Sequence, residues 1–234
     1  MLKLQIDCVK KEVFECATRC GRSPEEIKLI AVTKTHPVSL IKEALENGID
    51  YIAESKVQEA EGKIPELKSL YKEFHFIGHL QSNKINKLLA LNPVLIHSID
   101  KYSTAKKLNE AISLSEIGTT KNGIDILIEV NTSGEESKNG IKPSECLDLI
   151  KQIDDLEYVK VRGLMTIGAL TNDEKAIRKC FVTLRELFEK AKSHFPETMK
   201  YLSMGMSGDF KIAIEEGSNM LRLGSILFGE KNYL

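Results

Sequence analysis

The 234-residue sequence contains no apolar run long enough to cross a lipid bilayer. A membrane-spanning helix needs about 18 or more consecutive apolar residues, and no stretch approaches that length. Near the N-terminus, apolar residues at 6, 9, 13, 14 and 17 alternate with charged ones, which is the periodicity of a helix and not of a signal-peptide core. We therefore expect a soluble, untargeted protein that has no membrane partner.

The sequence also has no excess of charge of either sign. Lysine and arginine number 33 against 34 acidic residues, which gives a formal net charge of −1. Polyanionic partners are usually bound by a clearly basic surface. We therefore expect neither nucleic acid nor an anionic membrane as a partner.

Paired cysteine motifs are absent as well. The five cysteines form no Cys-x-x-Cys pair, and an odd number of them cannot pair fully within one chain. This pattern is typical of a reducing compartment and predicts a cytoplasmic location. No metal site is expected, and His97 is interpreted as a buried strand histidine because no cysteine or carboxylate partner stands at ligand spacing.

Eight short apolar runs alternate with charged helical stretches, and they follow a first helix for which Gly21 is a suitable C-terminal stop. Strands that alternate with helices pair in parallel, so eight such units predict one closed (β/α)₈ barrel with an extra N-terminal helix. A doubly wound open sheet is the alternative, but no glycine-rich fingerprint follows the first strand. No linker divides the chain, which predicts one domain over residues 1–234. The predicted strands are 29–33, 49–53, 74–78, 94–99, 124–131, 159–167, 200–207 and 220–229.

Active sites of such barrels lie at the carboxyl ends of the strands, and Lys34 stands at the end of the first one. A solvated lysine and a nucleophile are both consistent with this position. Small residues follow the last two strands, in "SMGMSGD" (203–209) and "RLGS" (222–225). Because barrels often hold a phosphate with the loops after strands 7 and 8, these loops predict a phosphate cradle, with simple tight turns as the alternative.

Arg222 lies between two leucines in a strand that should be buried, where an unpaired guanidinium would be costly. Its partner could be a protein carboxylate or a ligand. A lysine amine can form a Schiff base with an aldehyde, the two loops can hold a phosphate, and an arginine can face a pyridine nitrogen. Together these groups predict pyridoxal 5′-phosphate as the cofactor.

Six ordered blocks carry a resemblance that covers nearly the whole chain from about residue 7 onward. They resemble the pyridoxal phosphate homeostasis protein family, a group of single-domain relatives of the alanine racemase N-terminal barrel. The blocks are "IAVTKTHP" (30–37), "FHFIGHLQSNK" (74–84), "VNTSGEESKNG" (130–140), "RGLMTIG" (162–168), "LSMGMSGD" (202–209) and "AIEEGSNMLRLGSILFG" (213–229).

The resemblance implies a role for ten residues. Lys34 would carry the cofactor as a Schiff base, Arg222 would face the pyridine nitrogen, and Ser207, Gly224 and Ser225 would bind the phosphate. The remaining five would line the pocket, namely Ser55, His79, Met165, Ser203 and Met206.

One block departs from the family pattern. The family usually shows Phe-Gly-Glu-Asn followed, one residue later, by Val-Gln-Glu, whereas this chain has "IAESKVQE" at 52–59. Ala53 therefore stands for the usual glycine, and Ser55 for an asparagine that neighbours the cofactor in the family. The affinity for the cofactor is the property that this departure affects.

The predicted function is to hold, buffer or deliver pyridoxal phosphate, with apo-enzymes that need it as acceptors, and without catalysis of its own. The alternative is an amino-acid racemase. Racemisation needs a base and an acid on opposite faces of the α-carbon, and Lys34 supplies only one of them. In the resembled racemases a second domain contributes the other group, and we expect no such domain here because the last block ends five residues before Leu234. A third hypothesis, a barrel that binds another phosphorylated metabolite non-covalently, leaves Lys34 unexplained.

Overall fold

The computed structural model describes residues 1–114 and 123–229, and in these ranges the chain forms a closed eight-stranded barrel. Each strand pairs in parallel with the next, and the eighth pairs with the first. This confirms the predicted (β/α)₈ barrel. The predicted domain limits, 1–234, include residues 115–122 and 230–234, which lie outside the described residues.

Strands and helices alternate along the chain as the apolar runs predict. The strands are β1 (Lys28–Val32), β2 (Tyr51–Glu54), β3 (Glu73–Phe76), β4 (Leu95–Ile99), β5 (Ile124–Glu129), β6 (Val159–Met165), β7 (Tyr201–Ser203) and β8 (Met220–Leu223). The helices are α1 (Leu2–Arg19), α2 (Val38–Glu46), α3 (Val57–Leu67), α4 (Ile85–Ala90), α5 (Tyr102–Ser113), α6 (Cys146–Asp154), α7 (Glu174–His194), α8 (Phe210–Glu215) and α9 (Ser225–Phe228).

The predicted N-terminal helix is α1, and it precedes the first strand as an addition to the eight βα units. Its apolar face is buried at Ile6, Val9 and Val13, which recur at helical spacing. Gly21 follows with a φ of +69°, a conformation that glycine adopts without steric cost. None of the helices in the two described ranges is long and apolar enough for a bilayer crossing.

Two apolar clusters build the core. The larger one lies between the strands and the surrounding helices, where side chains such as Ile52 and Phe74 are fully buried. The smaller one lies inside the barrel and consists of Ile30, Ala53, Leu95, Leu127, Met165 and Met220. The inner cluster is small because polar side chains share the barrel interior.

The last predicted strand, 220–229, is wrong in its second half. β8 ends at Leu223, and residues Ser225–Phe228 form α9 instead. This short helix lies against α1, where the Gln5 side-chain amide donates to the Ile226 carbonyl at 2.7 Å. Its apolar residues therefore serve helix packing, a use that periodicity cannot distinguish from a buried strand in so short a run.

Candidate functional site

The structure places all ten predicted binding residues at one end of the barrel, the carboxyl end of the strands. Nine of them lie in the last part of a strand or in the loop that follows it, and Ser225 is the first residue of α9. Lys34 follows β1, Ser55 follows β2, His79 follows β3, Met165 and Ser203 end β6 and β7, Met206 and Ser207 follow β7, Arg222 lies in β8, and Gly224 and Ser225 follow it.

Lys34 lies in a turn directly after β1 and is exposed at the barrel mouth. The next residue, Thr35, has a φ of +67°, which is unusual for a β-branched residue and costs about 1–3 kcal/mol. Such a conformation persists only where the surroundings determine it. Contacts behind the turn must therefore hold Lys34 in place.

These contacts come from a group that we call the Lys63 clamp, made of Lys63, Glu54 and Glu59. The Thr35 backbone N–H donates to Glu59 Oε2 at 2.7 Å. Lys63 Nζ donates to the Thr33 carbonyl at 3.0 Å, to Glu54 Oε1 at 2.9 Å and to Glu59 Oε2 at 3.0 Å. The clamp thus fixes both residues that flank Lys34.

Glu54 is the buried member of the clamp, with no exposed surface. Burial raises its pKa, although hydrogen bonds from Lys63 and Thr33 oppose the rise. Its Oε2 has no hydrogen-bond partner among the described residues, so Oε1 carries the contacts. Sequence reasoning missed the clamp, although Glu54 and Glu59 lie in the segment 52–59 that departs from the family pattern.

The loop after β3 lies directly against the loop after β2. A Cβ added to Gly78 would meet the Ser55 carbonyl oxygen at 1.8 Å, so only glycine allows this approach. The Ser98 hydroxyl donates to the Gly78 carbonyl from the neighbouring strand. This packing brings half-buried Ser55 close in space to the loop that carries exposed His79.

The two loops predicted to form a phosphate cradle contact each other. Ser207 Oγ accepts hydrogen bonds from the backbone N–H of Gly224 at 3.3 Å and of Ile226 at 3.2 Å. The Met206 N–H donates to Asp209 Oδ1 at 2.5 Å, which fixes the loop before α8. A hydroxyl and backbone donors therefore converge at one place, which is the donor set that an anion requires.

Arg222 is 4% exposed and bonds to neutral groups. Its Nη1 donates to Ser203 Oγ at 2.7 Å, and its Nη2 donates to the Thr166 carbonyl at 2.8 Å. Within residues 1–114 and 123–229 no carboxylate forms a salt bridge with it, so the carboxylate alternative is not observed. Burial lowers the pKa of Arg222 to about 10, while Asp209 and Glu129 act in the opposite sense. A guanidinium carries five N–H donors, so donors remain for a ligand.

Sequence reasoning missed two carboxylates at the same end of the barrel, Glu129 at the end of β5 and Asp100 after β4. They are 3% and 8% exposed. Burial and the nearby Asp100 charge raise the pKa of Glu129 to about 7, while Arg222 opposes the rise. The rule that polar residues at carboxyl strand ends carry function could have identified both.

His97 is a satisfied strand histidine, as predicted. It lies in β4 without exposed surface, 2.9 Å from a nitrogen of His75 and 3.0 Å from Ser203 Oγ. In the part of the chain that the structure describes, no group of three or more His, Cys, Asp or Glu side chains is arranged to hold a metal ion.

Comparison with known proteins places this barrel in a family. The family model for the N-terminal domain of alanine racemase matches residues 14–232. A pyridoxal phosphate homeostasis protein of Aquifex aeolicus is 39% identical over 227 residues, which is 96% of each chain. The protein of that name from Helicobacter pylori strain 26695 is 41% identical over 227 residues, which is 97% of each chain.

Solved structures superpose on the barrel of this chain. PipY of Synechococcus elongatus, solved with PLP bound, superposes with a TM-score of 0.81 at 29% identity over 98% of this chain and 100% of that one. A Clostridium difficile alanine racemase gives a TM-score of 0.70 at 17% identity over 95% of this chain and 56% of that one, a likeness of fold alone. This chain therefore belongs to the pyridoxal phosphate homeostasis protein family, whose barrel is that of the alanine racemase N-terminal domain.

Proposed function

We propose that this protein binds pyridoxal 5′-phosphate at the carboxyl end of its barrel and holds, buffers or delivers it in the cell. The observation that carries the proposal is the position of Lys34, held by the Lys63 clamp at the same mouth as the guanidinium of Arg222 and the Ser207 hydroxyl. The names of the relatives and the PLP-bound structure of PipY support the same cofactor.

The residues at the mouth fit the chemical groups of this cofactor. Lys34 supplies the amine that an aldehyde requires for a Schiff base. Ser207 supplies a hydroxyl for the phosphate, together with the backbone N–H of Ser225 and that of Gly224, which would turn from Ser207 Oγ to the phosphate. Arg222 keeps donors for the ring nitrogen. The proposed pocket is completed by Ser55, His79, Met165, Ser203 and Met206.

We propose a carrier and not a racemase, although one observation favours the alternative. Glu129 ends β5, which lies across the barrel from β1 and Lys34, and a carboxyl with a pKa of about 7 suits proton transfer. The arginine at the ring nitrogen decides against the racemase, because a cation there would disfavour protonation of that nitrogen and weaken the electron sink that racemisation uses.

The proposed cellular setting follows from composition and cysteine chemistry. We propose one domain over residues 1–234 in the cytoplasm, because all five cysteines are free and a reducing compartment keeps them so. Apo-enzymes that require the cofactor are the proposed acceptors. The balance of 33 basic and 34 acidic residues supports neither nucleic acid nor an anionic membrane as a partner.

A binding and transfer experiment tests the proposal. Wild-type protein, Lys34→Ala and the control Lys101→Ala, which removes an exposed lysine after β4 at the same mouth, are titrated with pyridoxal phosphate. Wild type and Lys101→Ala should develop the yellow absorption of a Schiff base and then restore activity to an added apo-enzyme, whereas Lys34→Ala should do neither. Equal absorption in all three proteins would refute the attachment at Lys34.

The racemase alternative is tested in heavy water. The loaded protein is incubated with L-alanine and L-serine, and α-deuteration and the D-isomer are followed. A carrier should exchange the α-proton little faster than free pyridoxal phosphate does. Turnover of about 1 per second or more, abolished in Glu129→Gln, would establish the racemase instead.

A further inference from the structure

A continuous line of polar side chains runs through the barrel interior, where branched apolar side chains usually form the layers. We call it the polar column. From the amino end to the carboxyl end of the strands it consists of Lys28, Glu73, His75, His97, Ser203 and Arg222. Four of its members, from His75 to Arg222, are 0% to 4% exposed.

Each member of the polar column bonds to the next. Lys28 Nζ donates to both Glu73 oxygens at 2.7 Å. Glu73 Oε2 lies 3.0 Å from His75 Nε2, and His75 Nδ1 lies 2.9 Å from His97 Nε2. His97 Nδ1 lies 3.0 Å from Ser203 Oγ, which accepts from Arg222. Five contacts therefore connect the amino end of the barrel to the guanidinium at the mouth.

The partners determine which atom donates at each contact. Burial raises the pKa of Glu73, but hydrogen bonds from His75 and Lys28 outweigh it and lower that pKa to about 2, so the carboxylate only accepts. Burial lowers the pKa of His75 and of His97, which keeps both imidazoles neutral with one N–H each.

The proton positions follow step by step from the carboxylate. His75 must place its N–H on Nε2, facing Glu73, which leaves a lone pair on Nδ1. His97 therefore donates from Nε2 to His75 and presents the lone pair of its Nδ1 to Ser203. The single hydroxyl proton of Ser203 points to His97, which leaves the oxygen lone pairs for Arg222.

From this geometry we propose that His97 is a positioning residue for Arg222, which it holds through Ser203 so that the guanidinium faces the ring nitrogen of the cofactor. The inference rests on the proposed function, because it assigns Arg222 to the ring nitrogen. His97 touches neither the cofactor nor Lys34 in this assignment. Its effect is to fix the Ser203 proton, and with it the direction of the Arg222 Nη1 contact.

Two ligands that differ at one atom test the proposal. Pyridoxal phosphate is compared with its analogue in which carbon replaces the ring nitrogen, and dissociation constants are measured for wild type, His97→Leu, His97→Gln and the exposed-site control His194→Leu. Wild type and His194→Leu should prefer the nitrogen-containing ligand by about tenfold to a hundredfold, the range for one hydrogen bond to a charged group.

In His97→Leu the preference should fall to within about threefold of unity, because a misplaced guanidinium no longer distinguishes the two ligands. His97→Gln, which keeps an acceptor for Ser203, should restore part of it. If His97 had a purely structural role, its loss would weaken the binding of both ligands equally. An unchanged preference in folded His97→Leu therefore overturns the proposal. If that variant does not fold, the tautomer of His97 in the wild-type protein decides instead.

Nitrogen-15 NMR of the ligand-free wild-type protein tests the proposed tautomers independently. Both buried histidines should show a protonated Nε2 and an unprotonated Nδ1, and an Nδ1–H tautomer at His97 would overturn the proposal. If wild type does not bind pyridoxal phosphate at all, the proposed function fails. If it binds through Lys34 without any preference between the two ligands, only the positioning proposal fails.

Discussion

Replacing Lys63 by methionine tests whether the Lys63 clamp holds the turn that presents Lys34. The variant keeps the bulk of the lysine stem but removes the cation from Glu54, whose side chain has no exposed surface, while Lys63 itself is 13% exposed. Removing one partner of a buried ion pair costs about 3–5 kcal/mol, because a buried charge is left uncompensated. Thr33 still donates to Glu54, so we expect about 3 kcal/mol at neutral pH.

The loss should depend on pH in a defined direction. The folded-state pKa of Glu54 is already raised by burial, and without Lys63 it rises further. Near about pH 4, Glu54 is largely protonated in both the folded and the unfolded state, so the variant loses little. As pH increases, Glu54 ionises in the folded wild type before it ionises in the folded variant, so the loss grows between these two folded-state pKa values, while the ionisation of the unfolded state is common to both proteins.

Urea denaturation of three variants measures the effect. Lys87→Met is the matched control, because its salt bridge with Glu61 is 55% and 35% exposed at the two side chains. Exposed pairs contribute about 0–1 kcal/mol, so this control should change little. Lys63→Met combined with Glu54→Leu should recover much of the stability, since no buried charge remains. Equal losses in Lys63→Met and Lys87→Met would refute the reasoning.

Three further predictions concern other parts of the site. The pKa of Glu129 is about 7 against an ordinary 4.5, so wild type loses stability as pH rises between these values. Glu129→Gln should therefore be about 2–3 kcal/mol more stable than wild type at about pH 8 in urea denaturation. The same pH dependence of the free energy of unfolding in both proteins would contradict this. Gly78→Ala forces a Cβ to within 1.8 Å of the Ser55 carbonyl and should lower the free energy of unfolding by about 3 kcal/mol, whereas Gly62→Ala, in a helix with nothing within 4 Å of the added Cβ, should raise it by about 0.5–1 kcal/mol. Ser55→Asn should leave the affinity for pyridoxal phosphate unchanged or increase it, and a marked loss in a fluorescence titration would show that the serine has a role of its own.

The alternation of apolar runs and charged helices was enough to predict the barrel, because eight parallel βα units close in few ways. It also placed Lys34, Ser207 and Arg222 at one mouth, since carboxyl strand ends meet there. The error at 224–229 arose because a four-residue apolar helix and a buried strand share the same composition.

The supporting contacts could not be predicted in the same way. The Lys63 clamp depends on how α3 is rotated against β1 and β2, and no local pattern in the sequence specifies that rotation. The polar column joins His75, His97 and Ser203 from three strands, and the last two are 106 positions apart in sequence. Their contact exists only because the barrel closes, whereas sequence periodicity reports one strand at a time.

Covalent attachment at Lys34 is the central claim, and peptide mapping tests it most directly. Wild-type protein is saturated with pyridoxal phosphate, reduced with borohydride, digested and examined by mass spectrometry. The account predicts that the reduced cofactor is found on the peptide containing Lys34 and that the Lys101 peptide is unmodified. A reduced cofactor found mainly on another lysine, or on none, would contradict the account.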